Sequence, residues 1–216
     1  MTTEWRPAVI RVMADSAASD TLARRRLNTR PFNYRWEHVT TVVTLALRLA
    51  DLVGADRDII EAAAWLHDVT KKDGKRHARS GAAFAQAFLA RTDFPPDKIQ
   101  QVAQAIADHR GLYRAKPLTR LESMVLWDAD KLSKIGLTAA FHWTGMVLAG
   151  ERISTAADLI AKGRKAGWQE KTVASMHTAP ARRAALRRMT AFNRHWSALE
   201  AELLGYDLVN GEQSIP

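Results

Sequence analysis

The stretch Ala63-Ala64-Trp65-Leu66-His67-Asp68-Val69-Thr70-Lys71 decides how this chain is interpreted, because a histidine and an aspartate follow directly on small and apolar residues. Three more groups that can bind a metal surround the pair at wide spacing: His38 before it, and His109 and Asp128 after it. Imidazole and carboxylate together suit zinc, manganese, iron, cobalt or nickel. A lone His-Asp pair means little, but this wider pattern indicates a metal site.

Length and composition predict one domain over residues 1–216, with an apolar content of 47% that is enough to bury a core. The absence of cysteine excludes disulfides, thiolate zinc sites and cysteine nucleophiles. The N-terminal residues do not resemble a signal peptide, and the most apolar stretch, residues 39–50, is too short to span a bilayer. We therefore expect a cytoplasmic protein without a membrane partner.

The net charge of +9 admits three interpretations: binding to nucleic acid, attraction of small anionic substrates, or a solvated basic surface. The basic clusters lie at residues 24–26, 182–183 and 187–188. No nucleic-acid-binding motif accompanies them, and aromatic residues are not interleaved with them. Nucleic acid is therefore disfavoured as a partner, and a small anionic substrate is the better functional interpretation.

The chain is predicted to be all-α, because apolar residues recur at three- and four-residue spacing and no run alternates like a strand. Helices are predicted over about residues 8–26, 34–53, 57–67, 78–91, 96–109, 119–134, 137–148, 155–165 and 179–204. The apolar pattern does not indicate how residues 151–180 pack. The last helix is amphipathic, so we expect it to pack on the bundle or, alternatively, to form a homodimer seam.

Helical phase places each candidate ligand on the apolar face of its own helix. The apolar neighbours are Val42, Leu45 and Leu49 for His38; Ile60 and Ala63 for His67; Phe84 and Phe88 for His77; Val102 and Ile106 for His109; and Leu121, Met124 and Val125 for Asp128. Burying such groups without partners costs about 1–3 kcal/mol each, and more for a bare carboxylate. A shared metal centre satisfies them together, although for any single histidine a bond to a carbonyl is the simpler explanation.

These residues resemble the HD superfamily of metal-dependent phosphohydrolases over about residues 30–145. The matching segments are Arg35-Trp36-Glu37-His38, Leu66-His67-Asp68-Val69-Thr70-Lys71 and Asp128-Ala129-Asp130-Lys131-Leu132, with Gly136 beyond. The resemblance implies an HD-type helical bundle with additional N- and C-terminal helices, the latter within residues 146–216. It also implies a metal bound by His38, His67, Asp68 and Asp128.

Two further histidines resemble the branch of the superfamily that has six ligands and two metals. The segments are His77-Ala78-x-x-Gly81-Ala82 and Ala105-Ile106-x-x-His109. That branch includes a dinucleoside tetraphosphate hydrolase group and the HD-GYP phosphodiesterases, but this chain lacks a Gly-Tyr-Pro motif beside His109. In relatives with one metal, His77 and His109 would instead line the phosphate pocket, so one or two ions remain open.

The resemblance implies hydrolysis of a phosphate ester or phosphoanhydride, of a nucleotide above all, by water on a divalent ion (Mn, Mg, Fe, Co, Ni or Zn). Asp68 would bridge two metals, and Lys71 and Arg35 would contact the phosphate. Alternatively, Lys71 is an exposed helix-end lysine and Arg35 pairs with a carboxylate such as Asp130. Asp130 is expected to orient a ligand or to be structural, and Lys131 is expected to face solvent.

Two other functions remain open from the sequence. The first is an iron oxygenase on the same scaffold. The second is a non-catalytic module that binds a nucleotide or nucleic acid through the basic surface.

Overall fold

The computed structural model describes residues 3–22, 33–148, 155–164 and 167–208, and this part of the chain is helical without a β-strand. The α-helices are α1 (Trp5–Leu22), α2 (Tyr34–Val53), α3 (Arg57–Leu66), α4 (His77–Leu89), α5 (Pro96–Asp108), α6 (Leu121–Leu132), α7 (Leu137–Leu148), α8 (Ala156–Arg164), α9 (Trp168–Ala174) and α10 (Ala179–Leu204). A 3₁₀ helix covers Lys71–Arg76. The all-α prediction is confirmed.

The predicted bounds of α2, α7 and α10 agree with the structure, whereas α9 and the 3₁₀ helix were not predicted. The first helix begins earlier than predicted, at Trp5. Its predicted end at Arg26 and the basic cluster at residues 24–26 lie outside the described residues.

Local capping explains where the two helices that precede the His-Asp pair begin and where the first of them ends. The Asn33 side chain accepts a hydrogen bond from the backbone of Trp36, and Asp56 caps α3 in the same way. Gly54 ends α2 at a φ of 73°, a left-handed conformation that glycine adopts without a Cβ clash. The His-Asp pair then begins the turn after α3, at its C-terminal end.

The central core is formed by α2, α3, α5 and α6, with α1 packed on α3 and α4 packed on α5. Helix α6 is buried on nearly all sides, from Val125 through Leu132. At Gly81 an added Cβ would lie 3.3 Å from Ile106 and 3.5 Å from the carbonyl of His67. The absence of a side chain at Gly81 therefore lets α4 lie close against α5 and the His-Asp turn.

The C-terminal helices pack on the same bundle. Helix α10 lies against α6, α7, α8 and α9, and Ala181, Ala185, Phe192 and Trp196 are buried, as predicted for the bundle-packing alternative. Helices α7, α8 and α10 share a second apolar cluster around Trp196. Within the described residues, no helix has the length and apolarity that crossing a membrane requires.

Candidate metal centre

Three histidines are held in the same way by the backbone just before them. The Nδ1 atoms of His67, His77 and His109 lie 2.7, 2.6 and 2.5 Å from the carbonyl oxygens of Ala64, Gly74 and Ile106, each three residues earlier in the chain. Since a carbonyl oxygen only accepts, each Nδ1 carries the hydrogen and donates it. In each neutral ring the free lone pair is therefore on Nε2.

A fourth histidine, His38 on α2, is held by a side chain. Its Nδ1 lies 3.1 Å from the Oγ of Ser133, and that hydroxyl donates its own hydrogen to the carbonyl of Asp130 at 2.7 Å. Nδ1 of His38 must therefore donate to Ser133 Oγ, which again leaves the lone pair on Nε2. Partners on the other nitrogen commonly fix the tautomer of metal-binding histidines in this way.

The four Nε2 atoms meet in two facing pairs. The distance is 3.4 Å between His38 and His67, and 3.2 Å between His77 and His109. With the hydrogens on Nδ1, two lone pairs face each other across each gap. A cation bound by both nitrogens of a pair would turn this repulsion into coordination.

Asp68 lies between the two pairs. Its Oδ2 is 3.7 Å from Nε2 of His38 and 3.8 Å from that of His67, while its Oδ1 is 3.6 Å from Nε2 of both His77 and His109. The structure thus contains two ligand groups that share this carboxylate. The sequence-predicted residues His38, His67, Asp68, His77 and His109 are all brought together.

Asp128, predicted as a ligand, is not brought to these histidines. Its Oδ1 accepts hydrogen bonds from the backbone nitrogen and Nδ1 of His177, at 2.9 and 3.0 Å. Its Oδ2 accepts from the backbone nitrogen and hydroxyl of Thr178, at 2.7 and 2.8 Å. Because Thr178 caps α10, the Asp128 carboxylate holds the start of α10 against α6.

The carboxylate that α6 does bring to the cluster is Asp130. Its Oδ1 lies 3.3 Å from Nε2 of His38, and it pairs with Lys131 and Lys134. The expectation that Lys131 faces solvent is wrong, since that side chain is 2% exposed and also donates to the carbonyl of His109 at 2.9 Å. We expected Asp130 to orient a ligand or to be structural, because helical phase placed only Asp128 on the apolar stripe of its helix.

Burial and nearby cations set the charge of these groups. Burial lowers the pKa of His67 to about 3 and lowers the pKa of His38, so both are neutral near pH 7, as metal ligands must be. Burial alone would raise the pKa of Asp68, but its neighbours, the Lys71 ammonium among them, hold it well below its usual range. Burial would likewise raise the pKa of Asp130, but Lys131 and Lys134 hold it well below the usual range.

The two predicted cations occupy different places. The Nζ of Lys71 lies 3.0 Å from Asp68 Oδ1, and the side chain remains 41% exposed. Arg35 donates to the hydroxyl of Ser16 at 3.2 Å, and Ser16 in turn donates to the carbonyl of Val69 at 2.7 Å. Lys71 therefore lies at the cluster, whereas the contact described for Arg35 links α2 to α1 and the turn after Asp68.

Comparisons with known proteins agree with this fold. The family model described as the HD domain matches residues 35–135, and no curated protein matches the sequence. An HD superfamily hydrolase from an uncultured Thermotogales bacterium is 22% identical, with a TM-score of 0.61 over 91% of this chain and 92% of that chain. Bacillus subtilis YpgQ in complex with ADP is 22% identical, with a TM-score of 0.62 over 79% of this chain and 90% of that chain.

A third solved structure, an HD-superfamily hydrolase from Bacillus thuringiensis, is 18% identical, with a TM-score of 0.62 over 89% of this chain and 96% of that chain. At these identities the likeness establishes a shared fold, while function depends on the residues of the site. The matched residues 35–135 contain all five of the converging histidines and aspartate described above, as well as Asp130. Residues 35–135 of this chain therefore form an HD domain.

Proposed function

We propose that this protein is a metal-dependent phosphohydrolase that hydrolyses a phosphate ester or phosphoanhydride of a nucleotide. The observation that carries the proposal is the set of four Nε2 lone pairs arranged in facing pairs on either side of Asp68. No arrangement of hydrogens on neutral rings satisfies both facing pairs while every Nδ1 donates to its neighbour. Divalent cations would satisfy both pairs and leave the carboxylate as a bridge.

Two ions fit this donor set. The first would be held by His38, His67, Oδ2 of Asp68 and Asp130, and the second by His77, His109 and Oδ1 of Asp68. Four imidazoles favour iron, cobalt, nickel or zinc over magnesium, which prefers oxygen ligands, and the carboxylates of Asp68 and Asp130 also suit manganese. Asp130 takes the place that the sequence predicts for Asp128.

When bound, such ions would lower the pKa of a coordinated water and polarise the phosphoryl oxygen. The chain's own contribution is to fix the ligands: the carbonyls of Ala64, Gly74 and Ile106 hold three imidazoles in one tautomer. Lys71 brings a partly exposed ammonium to the edge of Asp68, where it can pair with a phosphate oxygen. A role for Arg35 at the phosphate stays a prediction.

A nucleotide is the favoured substrate for two reasons. The net charge of +9 attracts anionic ligands, and YpgQ, which shares the fold, is found in complex with ADP. An iron oxygenase or a non-catalytic binding module would use the same cluster differently, so the experiment must separate them.

The test is a phosphate-release screen on protein that has been stripped of metal and reloaded separately with Mn²⁺, Fe²⁺, Co²⁺, Ni²⁺ or Zn²⁺. We expect turnover of at least one nucleoside mono- or polyphosphate, and a loss of at least about 100-fold in Asp68→Asn. Asp97→Asn is the matched control, because Asp97 is exposed in the first turn of α5.

Absence of phosphate release with every metal, or unchanged release in Asp68→Asn, would contradict the proposal. Oxygen consumption by the iron-loaded protein alone would favour the oxygenase. Nucleotide binding that Asp68→Asn leaves unchanged, without any turnover, would favour the non-catalytic module.

A further inference from the structure

A cavity of about 230 Å³ lies where α2 and α7 meet the C-terminal helices. Aromatic side chains from four helices contribute to its wall: Tyr34 from α2, Trp143 from α7, Trp168 from α9 and Phe192 from α10. Pockets that enclose whole drug-sized ligands measure roughly 300–1,000 Å³, so this cavity fits one ring system rather than a complete nucleotide. Aromatic walls favour a planar ring that can stack or meet them edge-on.

The cavity adjoins the metal-binding cluster through three of its lining residues. Ser133 bonds to Nδ1 of His38, and Lys134 pairs with Asp130. The ring of Tyr34 stacks on that of His38, with centroids 5.9 Å apart and planes 7° from parallel. A ligand seated in the cavity would therefore have its substituents beside His38 and Asp130.

One polar side chain in this wall has an unmet hydrogen bond. Gln169 on α9 is 3% exposed, and its Nε2 has no hydrogen-bond partner within the described part of the chain. A buried amide donor without an acceptor is unfavourable and is seldom retained without a reason. A ligand that places an acceptor atom in the cavity would satisfy it.

The lining also carries two cations, Lys134 and Lys162. An aromatic wall with one unpaired donor, and lysines among its residues, matches a ring that accepts a hydrogen bond and is joined to an anionic group. A purely apolar ligand would leave Gln169 unpaired. A free phosphate has no ring to pack against the aromatic wall.

We infer that this cavity binds the nucleobase of the substrate, with Nε2 of Gln169 donating to a ring nitrogen or carbonyl oxygen of the base. The inference rests on the proposed function, which requires the phosphates of the bound nucleotide to reach the metal-binding cluster. They would extend past Lys134 to reach it. The inference assigns substrate selection chiefly to α7, α8, α9 and α10, outside the matched residues 35–135. The residues that hold the metal and those that select the base are thus on different parts of the chain.

Calorimetric titration of the metal-stripped protein, in which the proposed hydrolysis cannot proceed, tests the cavity directly. The ligands are AMP, GMP, CMP and UMP, with ribose 5-phosphate as the ligand that lacks a base, and the four nucleosides as ligands that lack a phosphate. We expect at least one nucleoside monophosphate to bind at least tenfold more tightly than ribose 5-phosphate.

Gln169→Met removes the donor while nearly preserving side-chain volume. We expect it to weaken binding of the preferred nucleoside monophosphate about tenfold, leave ribose 5-phosphate unaffected, and leave the melting temperature unchanged or higher, because an unpaired donor is lost. A residue that only supports the fold would not separate the two ligands. Gln101→Met is the matched control, since Gln101 is exposed on α5.

Ala139→Leu gives a second, independent variant, because Ala139 lines the cavity and a larger side chain would narrow it. It should weaken nucleotide binding without changing the affinity for ribose 5-phosphate. If Gln169→Met fails to fold, this variant alone tests whether the cavity binds the base. Equal binding of nucleotides and ribose 5-phosphate, or equal effects of both variants on the two, would overturn the inference.

These outcomes are distinct from those that test the proposed function. Phosphate release without preference for a base would overturn the cavity assignment and leave the hydrolase intact. Binding of a nucleoside that depends on Gln169, without phosphate release from any nucleotide, would support the cavity and contradict the hydrolase.

Discussion

Replacing Asp128 by asparagine separates a structural carboxylate from a metal ligand. Asp128 is fully buried, and its two oxygens accept four hydrogen bonds from His177 and Thr178, at 2.7–3.0 Å. The asparagine amide keeps one oxygen, so the two donors that faced the other oxygen meet an NH₂ group instead. Leaving two buried donors without an acceptor costs about 1–3 kcal/mol each.

That loss should be visible in thermal unfolding. In a chain of this length each kcal/mol shifts the melting temperature by roughly 2–4 °C, so Asp128→Asn should lower it by on the order of 10 °C. At temperatures where the variant is folded, elemental analysis should still find the metal content of the unaltered protein. Asp130→Asn should lose metal, and it should also be less stable, because Lys131 and Lys134 lose their partner. An Asp128→Asn protein that keeps its melting temperature but loses its metal would refute this reasoning.

Three further predictions concern packing, pH and the phosphate contact. Gly163→Ala should destabilise the protein by about 1–3 kcal/mol in thermal unfolding, because the new Cβ would lie 2.5 Å from Trp196, whereas Gly167→Ala, with nothing within 4 Å, should not. Burial lowers the pKa of His67 to about 3 in the folded protein, whereas its value in the unfolded chain is about 6.5. As pH falls, the unfolded chain therefore takes up the proton first. The free energy of unfolding decreases as pH drops below about 6.5. Between pH 7 and pH 5 this group alone should remove about 2 kcal/mol from the metal-free protein, and urea midpoints that stay constant would contradict it. Lys71→Ala should reduce turnover about 10–100-fold with metal content unchanged, and a loss of metal instead would assign Lys71 to the folding of the site.

Much of the fold was predictable from local signals. Helix α2 has a capping Asn33 and a terminal Gly54, and its predicted bounds agree with the structure. Helix α9 was missed because it has only seven residues and no side chain caps its start, so neither periodicity nor capping marks it. The 3₁₀ helix has no buried residue and hence no apolar stripe to detect.

Helical phase also placed the four histidines on the buried faces of their helices, but it favoured Asp128 over Asp130 on insufficient grounds. Helical phase places Asp128 in line with Leu121 and Val125, and the side chain of Asp128 is indeed buried. Asp130 is equally buried, because α6 is surrounded by other helices. In such a helix an apolar stripe no longer distinguishes buried positions from exposed ones. The difference lies in partners distant in the chain, such as His177, which no local pattern reveals.

Anomalous diffraction from crystals grown with Mn²⁺ tests the central claim most directly. We predict two manganese peaks on either side of Asp68, one bound by Nε2 of His38 and His67 with Asp130, the other by Nε2 of His77 and His109. A peak at the Asp128 carboxylate, or no peak within coordination distance of these histidines, would contradict it.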